Sequence, residues 1–365
     1  MIQLYDIDVL QQSNPVVRAV LEDAYNITEE REINGIWKLT FSYDATQNIS
    51  YLQPMYVAKF EGQYFRIKTI KANHKTITAE CEHIFFDCKS QTILGIAPVI
   101  NIEAADFLYD YLRNCSPNNI LPYAVSGTTI DGMEILDTPI DTTKIEKRSV
   151  YDAIDYIRKT ANQGELYINN DRYTLVKEFH QVTGVGGSEA NAIPLLDAED
   201  VTITTDMSDL VTRIRPFGKN DLPIQGGYVT SGYAEDYGIR EKCIDFSSIT
   251  DTAMLLARAN YCFSSSNPNR LDVPRVTITC TIPRPNNIYL GCWYSIAGHN
   301  KRVIKTVRDI DSGRVSVTLG DISKDTFYYM RKISKSVKSS VETEENIKND
   351  PSKYVATQKI GRAHV

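Results

Sequence analysis

The sequence predicts an α+β fold that is mainly β, with two small β-barrel-like domains and an α+β insertion between them. Strand-like alternation dominates both ends of the chain, whereas helical periodicity is confined to the middle and to one later segment. Turn residues separate neighbouring strand-like runs. At 365 residues the chain exceeds the usual size of one domain, so several packed units are expected.

Residues 1–95 predict the first β-barrel domain. The run 36–43 has a strong strand composition, and 56–60 faces 64–70 across the short connection Glu61-Gly62-Gln63. A second reversal leads into 76–81. Linked strands of this kind leave unpaired edges unless they close or pack, which favours a small barrel or a sandwich.

Residues 96–180 predict the α+β insert domain. Apolar residues recur at steps of three and four over 104–115 and again over 150–162, which indicates two helices. Ser149 with Asp152 forms an expected N-terminal cap pair for the second helix. A hairpin of 165–168 with 173–176 completes the insert.

Residues 181–330 predict a second β-barrel domain with one helix over about 251–263. The run 276–282 alternates aliphatic residues or Cys with Thr, which is typical of a strand with only one face in a core. The two outer blocks look alike in architecture, although their sequences show no convincing repeat. The remaining expected strands cover 201–204, 210–214, 301–310 and 314–319.

The end of the chain changes character. Residues 331–358 are rich in Lys, Ser, Glu and Asn, which predicts a polar helix or a linker to a missing C-terminal region. The last seven residues, 359–365, coincide with a translated sequencing-adapter start. We therefore expect this heptapeptide to be non-native.

Composition excludes several classes of function. The 40 Lys+Arg and 46 Asp+Glu residues give a net charge of −6 without a basic block, so no nucleic-acid surface is expected. No apolar run is long enough for a membrane helix, and the N-terminus lacks an export signal. Seven cysteines without a CxxC pair fit folding as free thiols in a reducing cytoplasm.

The histidines and cysteines do not predict a catalytic or metal site. His74, His83, His180 and His299 are dispersed and lack metal-ligand spacing. Cys81 and His83 would share one face of a strand, so a Cys–His pair or a metal site is an open alternative there. No third or fourth ligand accompanies them, and packing is the favoured interpretation.

Other polar motifs are interpreted as connectors or solvated surface. The Gly-rich run at 184–187 is followed by Pro194 rather than by a helix, so it does not predict a phosphate loop. No GxSxG serine-hydrolase elbow occurs. We predict no catalytic, cofactor-binding or metal-binding residues. The acidic groups assigned to solvated faces or loops are Asp106 with Asp110, Asp152 with Asp155, and Glu235-Asp236-Tyr237.

Three stretches of the chain carry a family resemblance. Residues 29–41 read EEREINGIWKLTF, 65–67 with 82–87 read FRI and EHIFFD, and 208–218 read SDLVTRIRPFG. Across about 1–330 the chain resembles the N-terminal hub region of phage minor tail proteins, called tail-associated lysins or prophage tail endopeptidases. None of these motifs is a catalytic signature.

The resemblance implies a baseplate-hub-like fold, similar to the hub proteins of contractile phage tails. It implies a homotrimer whose six barrels form a ring on a hexameric tail tube, in contact with the distal tail protein and with the tape-measure protein as a further candidate partner. It also implies a place at the virion tail tip, assembly in the bacterial cytoplasm, and lytic or receptor-directed modules after the hub.

Two alternatives remain at this point. The first is a peptidoglycan hydrolase (a tail-associated lysin or endopeptidase) that uses Cys81 and His83 or some of the acidic residues. The second is a carbohydrate- or receptor-binding module that stacks sugars on exposed tyrosines or on Trp37 and Trp293. Both tryptophans lie in strand-like runs, where core packing is the favoured interpretation.

Overall fold

The computed structural model describes residues 1–321 apart from 10–11, 13, 48–49, 94–95, 97–98, 100, 113–122, 138, 141–147, 161–163, 171, 182–185, 247–248, 266–269 and 284–287. The segments predicted at 331–358 and 359–365 lie outside the described residues. By compactness the chain divides into a larger unit, Met1–Thr204 with Val276–Ile322, and a smaller unit, Thr205–Arg275. The domain boundaries expected at 95, 180 and 330 stay predictions.

Strands dominate the described chain, which confirms the mainly β class. In chain order they are β1 (Ile2–Tyr5), β2 (Ala19–Leu21), β3 (Tyr25–Glu32), β4 (Trp37–Asp44), β5 (Val57–Phe60), β6 (Gln63–Ala72), β7 (Thr76–His83), β8 (Ile102–Glu103), β9 (Tyr123–Ala124), β10 (Thr129–Ile130), β11 (Met133–Glu134), β12 (Pro139–Ile140), β13 (Glu165–Asn169), β14 (Arg172–Val176), β15 (Ile193–Pro194), β16 (Glu199–Asp206), β17 (Arg213–Phe217), β18 (Val229–Thr230), β19 (Glu241–Asp245), β20 (Arg275–Ile282), β21 (Trp293–Ile296), β22 (His299–Asp309) and β23 (Val315–Gly320).

Helices are few and short. They are α1 (Ala104–Phe107), α2 (Val150–Thr160), α3 (Ala234–Tyr237) and α4 (Thr252–Tyr261), with a π-helical turn at Leu108–Leu112 and 3₁₀ turns at Ile84–Ser90, Glu189–Asn191 and Lys219–Asp221. The predicted cap of α2 is present, because the Ser149 hydroxyl accepts a hydrogen bond from the Asp152 N–H at 3.0 Å. Asp251 caps α4 through the Met254 N–H at 2.8 Å.

Two expected elements differ from the structure. The helix predicted over 104–115 ends as an α-helix at Phe107 and continues as a π-helical turn, and residues 113–115 lie outside the described chain. The strand predicted over 210–214 begins only at Arg213. The reason is a turn, in which the Leu210 N–H donates to the Met207 carbonyl at 3.1 Å.

One 13-stranded sheet forms the framework of the larger unit. Its strand order is β16-β20-β23-β22-β3-β4-β7-β6-β5-β1-β2, with β21 also beside β22 and β15 beside β21. The two separate barrels of the sequence prediction are therefore not seen among the described strands. Strand β3 fills the free side of β22 beyond the β21 pairing, and this joins the two outer blocks in one open sheet.

The sheet contains an internal duplication. Strands β1 and β3–β7, which we name repeat A, recur as β15, β16 and β20–β23, which we name repeat B. Both repeats keep the same chain order and the same sheet order, β3-β4-β7-β6-β5-β1 in A and β16-β20-β23-β22-β21-β15 in B. One detail differs, since β1 is antiparallel to β5 whereas β15 is parallel to β21.

Backbone hydrogen bonds match between the repeats residue by residue. In repeat A, the Met55 N–H donates to the Ile67 carbonyl at 2.8 Å, and the Ile67 N–H donates to the Tyr56 carbonyl at 2.9 Å. In repeat B, the Gly291 N–H donates to the Val303 carbonyl at 2.9 Å, and the Val303 N–H donates to the Cys292 carbonyl at 2.9 Å. Each of the two long strands then shifts register immediately after this point, between Ile67 and Thr69 in A and between Val303 and Lys305 in B.

The tight turns of the two repeats also coincide. Glu61 and Gly62 have φ values of 45° and 82°, and Ala297 and Gly298 have 49° and 80°. Two consecutive left-handed residues are what a two-residue hairpin turn needs if its twist is to match that of the flanking strands. The repeats thus share backbone geometry where their side chains differ.

Two insertions separate the matching strands. The smaller unit lies in the chain between β16 and β20, at the place where repeat A has only the β3–β4 hairpin. Within it, β17 pairs with β18 and β19, and α4 packs on the sheet over a core of its own.

The other insertion, 84–192, contains a hairpin that bridges the cores of the two repeats. Leu166 and Leu175 of β13 and β14 pack in the core of repeat A, whereas Tyr167 and Val176 pack in the core of repeat B. Successive residues of a strand point to opposite faces, so one hairpin can serve both cores.

Candidate assembly site

The junction between the repeats is an antiparallel pairing of β3 with the outer half of β22. Residues Thr28–Glu32 face Lys305–Asp309. Lys305 Nζ lies 2.5 Å from a Glu30 carboxylate oxygen, and Arg308 lies 2.7 Å from Glu29. Acidic residues of β3 therefore face basic residues of β22. This charge pattern favours the pairing of these two strands in this register, and it adds electrostatic attraction.

Arg308 also reaches a turn of repeat A. Its guanidinium donates to both Glu61 carboxylate oxygens, at 2.8 and 2.9 Å. The carboxylates of Glu61 and Glu29 raise the pKa of Arg308, and the hydrogen bonds to Glu61 are the largest cause. The junction thus ties β22 both to the neighbouring strand and to the β5–β6 hairpin.

An aromatic stack supports the junction from the repeat A side. The Arg31 guanidinium lies 3.7 Å from the Trp37 ring centroid, and Trp37 stacks on His83 at 4.2 Å and 4°. Trp37 Nε1 donates to Glu29 at 2.9 Å. Burial lowers the pKa of Arg31 to about 10, so this cation is held by its neighbours rather than by water.

His83 is a buried structural residue. Its Nδ1 accepts a hydrogen bond from the Phe85 N–H at 3.3 Å, so the proton of the neutral ring is on Nε2, which lies 3.1 Å from Gln63 Oε1. Burial, followed by the nearby Arg31, lowers the pKa of His83 well below its usual value. The ring is neutral and caps the Ile84–Ser90 turn.

Cys81 has no geometry for nucleophilic chemistry. Its side chain lies in the core of repeat A with 2% exposure. Burial raises the pKa of its thiol, which disfavours the reactive thiolate. The structure thus places Cys81 and His83 on the same strand without access for a substrate.

The other family-like residues of the first outer block converge on the same region. Arg66 Nε donates to Asp87 at 2.9 Å, and its NH1 donates to the Met55 carbonyl at 2.5 Å. Phe65 packs edge-on against His83 at 5.5 Å. The stretches 29–41, 65–67 and 82–87 therefore form one connected cluster. The stretch 208–218 lies in the smaller unit, where Val211 and Ile214 pack in its core.

Repeat B has a buried arginine at the position that matches Arg66. Arg302 donates to both Glu165 carboxylate oxygens at 2.6 and 2.7 Å and to the Gly291 carbonyl at 2.7 Å. Glu165 also accepts from the Phe179 N–H at 2.7 Å. Sequence reasoning missed this pair, because its members are 137 residues apart.

The other histidines lie in separate places. His74 is exposed in the turn between β6 and β7, and His299 begins β22. Nε2 of His180 is 3.7 Å from Glu178, and burial lowers the pKa of His180. Within the described ranges, no group of three His, Cys, Asp or Glu could hold a metal ion.

The other sequence candidates lie in structural contexts. The Gly186 carbonyl accepts from the Trp293 N–H at 2.8 Å, while 184–185 lie outside the described residues. Trp37 is buried, and Trp293 Nε1 donates to Glu178 at 3.2 Å. The acidic candidates lie on helices or helical turns: Asp106 on α1, Asp110 on the π turn, Asp152 and Asp155 on α2, and Glu235-Asp236-Tyr237 on α3. Asp155 pairs with Arg158 and Lys159.

A cavity of about 340 Å³ lies within the smaller unit. Asp272, which is fully buried, lines it and accepts from Arg270 at 2.9 Å and from the Ser231 hydroxyl. Both Asp272 oxygens are therefore occupied by hydrogen bonds that hold two chain segments together. As for membranes, the described part of the chain contains no helix long and apolar enough to span one.

Comparison with protein families and solved structures confirms the resemblance found in the sequence. Residues 9–83 match the prophage endopeptidase tail N-terminal domain, and 194–289 match the prophage endopeptidase tail. No curated protein matches the sequence.

Three solved tail proteins have a similar fold. Prophage tail protein gp18 of Listeria monocytogenes EGD-e is 16% identical with a TM-score of 0.56, over 93% of this chain and 99% of that one. The 43 kDa tail protein of prophage MuSo2 from Shewanella oneidensis is 13% identical with a TM-score of 0.52, over 88% and 98%. A tail protein of Neisseria meningitidis MC58 is 8% identical with a TM-score of 0.51, over 88% and 97%.

Proposed function

We propose that this chain, which matches both prophage endopeptidase tail models, is the structural hub of a phage tail tip. The observation that carries the proposal is the internal duplication, since one chain presents the same strand arrangement twice, side by side in one sheet. Three chains would present it six times. A homotrimer of this kind can match six-fold symmetry on one side and three-fold symmetry on the other.

In this proposal the ring adapts the hexameric tail tube to the distal tip. Its partners are the tail tube and the distal tail protein, with the tape-measure protein as a further candidate. The protein would assemble in the bacterial cytoplasm and remain in the virion tail, where it would carry modules that follow the hub.

The geometry supports a structural role for these residues over the two alternatives. A hydrolase based on Cys81 and His83 would need an accessible thiolate, whereas both side chains are buried and the thiol pKa is raised. A sugar-stacking surface built on Trp37 would need an exposed ring, whereas Trp37 lies in the core between Arg31 and His83. Tyr228 and Tyr233 are exposed, and the Arg213 and Arg270 guanidinium groups lie over their rings at 4.3 and 5.1 Å.

Oligomeric state and shape test the proposal. Light scattering of the full chain over a wide concentration range should give three times the chain mass, and negative-stain images should show annular particles. These particles should cap one end of purified hexameric tail tubes. A compact monomer at all concentrations that leaves tube ends free would contradict a hub. If the protein clears bacterial cell walls in a zymogram and the Cys81→Ala variant does not, the hydrolase alternative is favoured instead.

A further inference from the structure

We infer that neighbouring copies of this chain join by pairing β16 of one copy with the outer half of β6 of the next, as a second version of the internal β3–β22 junction. The inference rests on the proposed ring and names the surface that closes it. Its basis is the duplication, in which β16 corresponds to β3 and β6 corresponds to β22.

The two long strands have different neighbours beyond their register shifts. The outer half of β22 is hydrogen-bonded to β23 on one side and to β3 on the other. The outer half of β6, Thr69–Ala72, is paired with β7, and β5 pairs only with Gln63–Arg66. Among the described strands, the position that β3 occupies in repeat B is thus empty in repeat A.

The exposure of the two outer halves differs in the same direction. On β22, Lys305, Val307 and Arg308 are half-buried and Thr306 is buried, beside β3. On β6, the matching Thr69, Lys71 and Ala72 are exposed, and Ile70, which matches Thr306, is half-buried. Repeat A therefore presents a strand edge that is equivalent to one already used inside the molecule.

Strand β16 is the complementary edge. It ends the sheet beside β20, and every residue along it is exposed. Val201 and Ile203 each expose 41% of their surface on this edge strand. An exposed apolar edge of this length invites pairing with another strand, and proteins that keep such an edge free normally protect it with Lys, Pro or a bulge.

The internal junction fixes which residues would face each other. Val307 of β22, which matches Lys71 of β6, faces Glu30 of β3. Strands β3 and β16 have eight residues each, and their second residues, Asn26 and Asp200, have φ values of 51° and 52°. Thr204 therefore matches Glu30, and Lys71 of one copy would face Thr204 of the next.

The other free end of the sheet is a poorer partner for β16. Strand β2 has only three residues, Ala19–Leu21, and is followed by Glu22-Asp23. Pairing it with the acidic start of β16 would place like charges together. A β16–β6 contact uses two different surfaces of each copy, so it repeats from copy to copy and closes into a ring if the rotation allows.

A charge placed opposite Lys71 tests the pairing in the full chain. Thr204→Lys should raise the concentration for half-assembly about tenfold or more, because two like charges then face each other across the junction. Adding Lys71→Glu should restore assembly to within about threefold of wild type, since opposite charges then face each other. The matched control, Lys219→Glu with Glu235→Lys, reverses exposed charges in the smaller unit and should leave assembly unchanged.

Oxidative cross-linking gives an independent readout. In a Cys243→Ser background, which removes an exposed native thiol, Ala72→Cys should form intermolecular disulfides with at least one of Val201→Cys, Thr202→Cys and Ile203→Cys. Ala72→Cys with Val20→Cys on β2 is the control and should stay monomeric on a denaturing gel.

The outcomes separate the junction from the ring. A trimer whose assembly ignores Thr204→Lys, or that cross-links through Val20, overturns the β16–β6 junction and leaves the hub proposal standing. A chain that is monomeric at all concentrations and forms no cross-link overturns both. Weakening by Thr204→Lys, rescue by Lys71→Glu and a β6–β16 cross-link support the junction.

Discussion

Arg66 in repeat A and Arg302 in repeat B occupy the same backbone position but are neutralised in different ways. Each donates to the carbonyl of a matching loop residue, Met55 in A and Gly291 in B. The counter-charge of Arg66 is Asp87, in the helical turn just after β7. The main counter-charge of Arg302 is Glu165, from the bridging hairpin 137 residues away, with Glu178 3.3 Å from the Arg302 Nε. Repeat A is thus completed by the turn that directly follows its last strand, whereas repeat B is completed by the distant bridging hairpin.

The loop residues show the same dependence. Met55 and Gly291 both have positive φ, 76° and 88°. Met55 carries a half-exposed side chain without difficulty, whereas a Cβ at Gly291 would lie 2.0 Å from the Phe179 carbonyl oxygen. Phe179 follows the bridging hairpin, so the glycine is required only where the insert packs on the loop.

Removing the counter-charges should produce the largest difference between the repeats. Glu165→Ala should lower the free energy of unfolding by about 3–5 kcal/mol, because it removes the buried bidentate partner of Arg302 and leaves the more exposed Glu178, at 3.3 Å, as its nearest carboxylate. Asp87→Ala should cost less, about 1–3 kcal/mol, since the Asp87 side chain is 17% exposed and that of Glu165 is 5% exposed. Both arginines keep two backbone carbonyl partners in these variants. Urea unfolding of both variants measures this.

A matched control separates charge from packing. Arg302→Met in the Glu165→Ala background should recover much of the loss, because no uncompensated charge remains. If Asp87→Ala destabilises the chain as strongly as Glu165→Ala, repeat A is not the more self-contained half.

The repeats should also differ in their response to pH. In repeat A, Phe65 faces His83 across β6 and β7, whereas the corresponding place in repeat B has an exposed Lys301–Asp321 pair at 2.8 Å. The pKa of His83 is lowered in the folded chain, so below pH 6.5 the unfolded chain binds a proton that the folded chain does not. The contribution of His83 to stability is therefore complete above pH 6.5 and should fall by about 1.4 kcal/mol per pH unit below it.

Urea unfolding between pH 7.5 and 5.5 tests this, with His83→Gln as the comparison. The pKa of His180 is also lowered, so both histidines contribute to the change of the wild-type unfolding free energy with pH. The His83→Gln variant should keep only the contribution of His180. Asp321→Asn serves as the control and should leave the slope unchanged. An unaltered slope in His83→Gln would show that His83 is not the source.

How much was predictable depends on the range of each interaction. The hairpins at 56–70 and 301–319 and the cap at Ser149 follow from neighbouring residues, and the structure contains them. The sequence indicates that the two outer blocks are alike in architecture, but it does not reveal which positions match. The matching positions share backbone conformation rather than residue type, as with Glu61 and Ala297.

The joining of the two outer blocks was unpredictable for a different reason. Strand β3 pairs with β22, about 280 residues later, through alternating polar residues that are equally suited to a solvated edge. The sequence therefore could not decide between two closed barrels and one continuous sheet. Likewise, the structural role of His83 depends on its contacts with Trp37 and Phe65, which lie on other strands.

The smallest expected difference lies in the two matching turns. Ala297→Asn should stabilise the chain by about 0.5–1 kcal/mol, because Asn tolerates the positive φ of 49° better than Ala does. Glu61→Asn should relieve similar strain but also removes the pairing with Arg308, worth about 0.2–1 kcal/mol, so its net effect should be near zero. In an Arg308→Ala background, Glu61→Asn should therefore become as stabilising as Ala297→Asn. If thermal unfolding shows equal gains for both turns in the wild-type background, the Arg308–Glu61 pair adds nothing to the junction between the repeats.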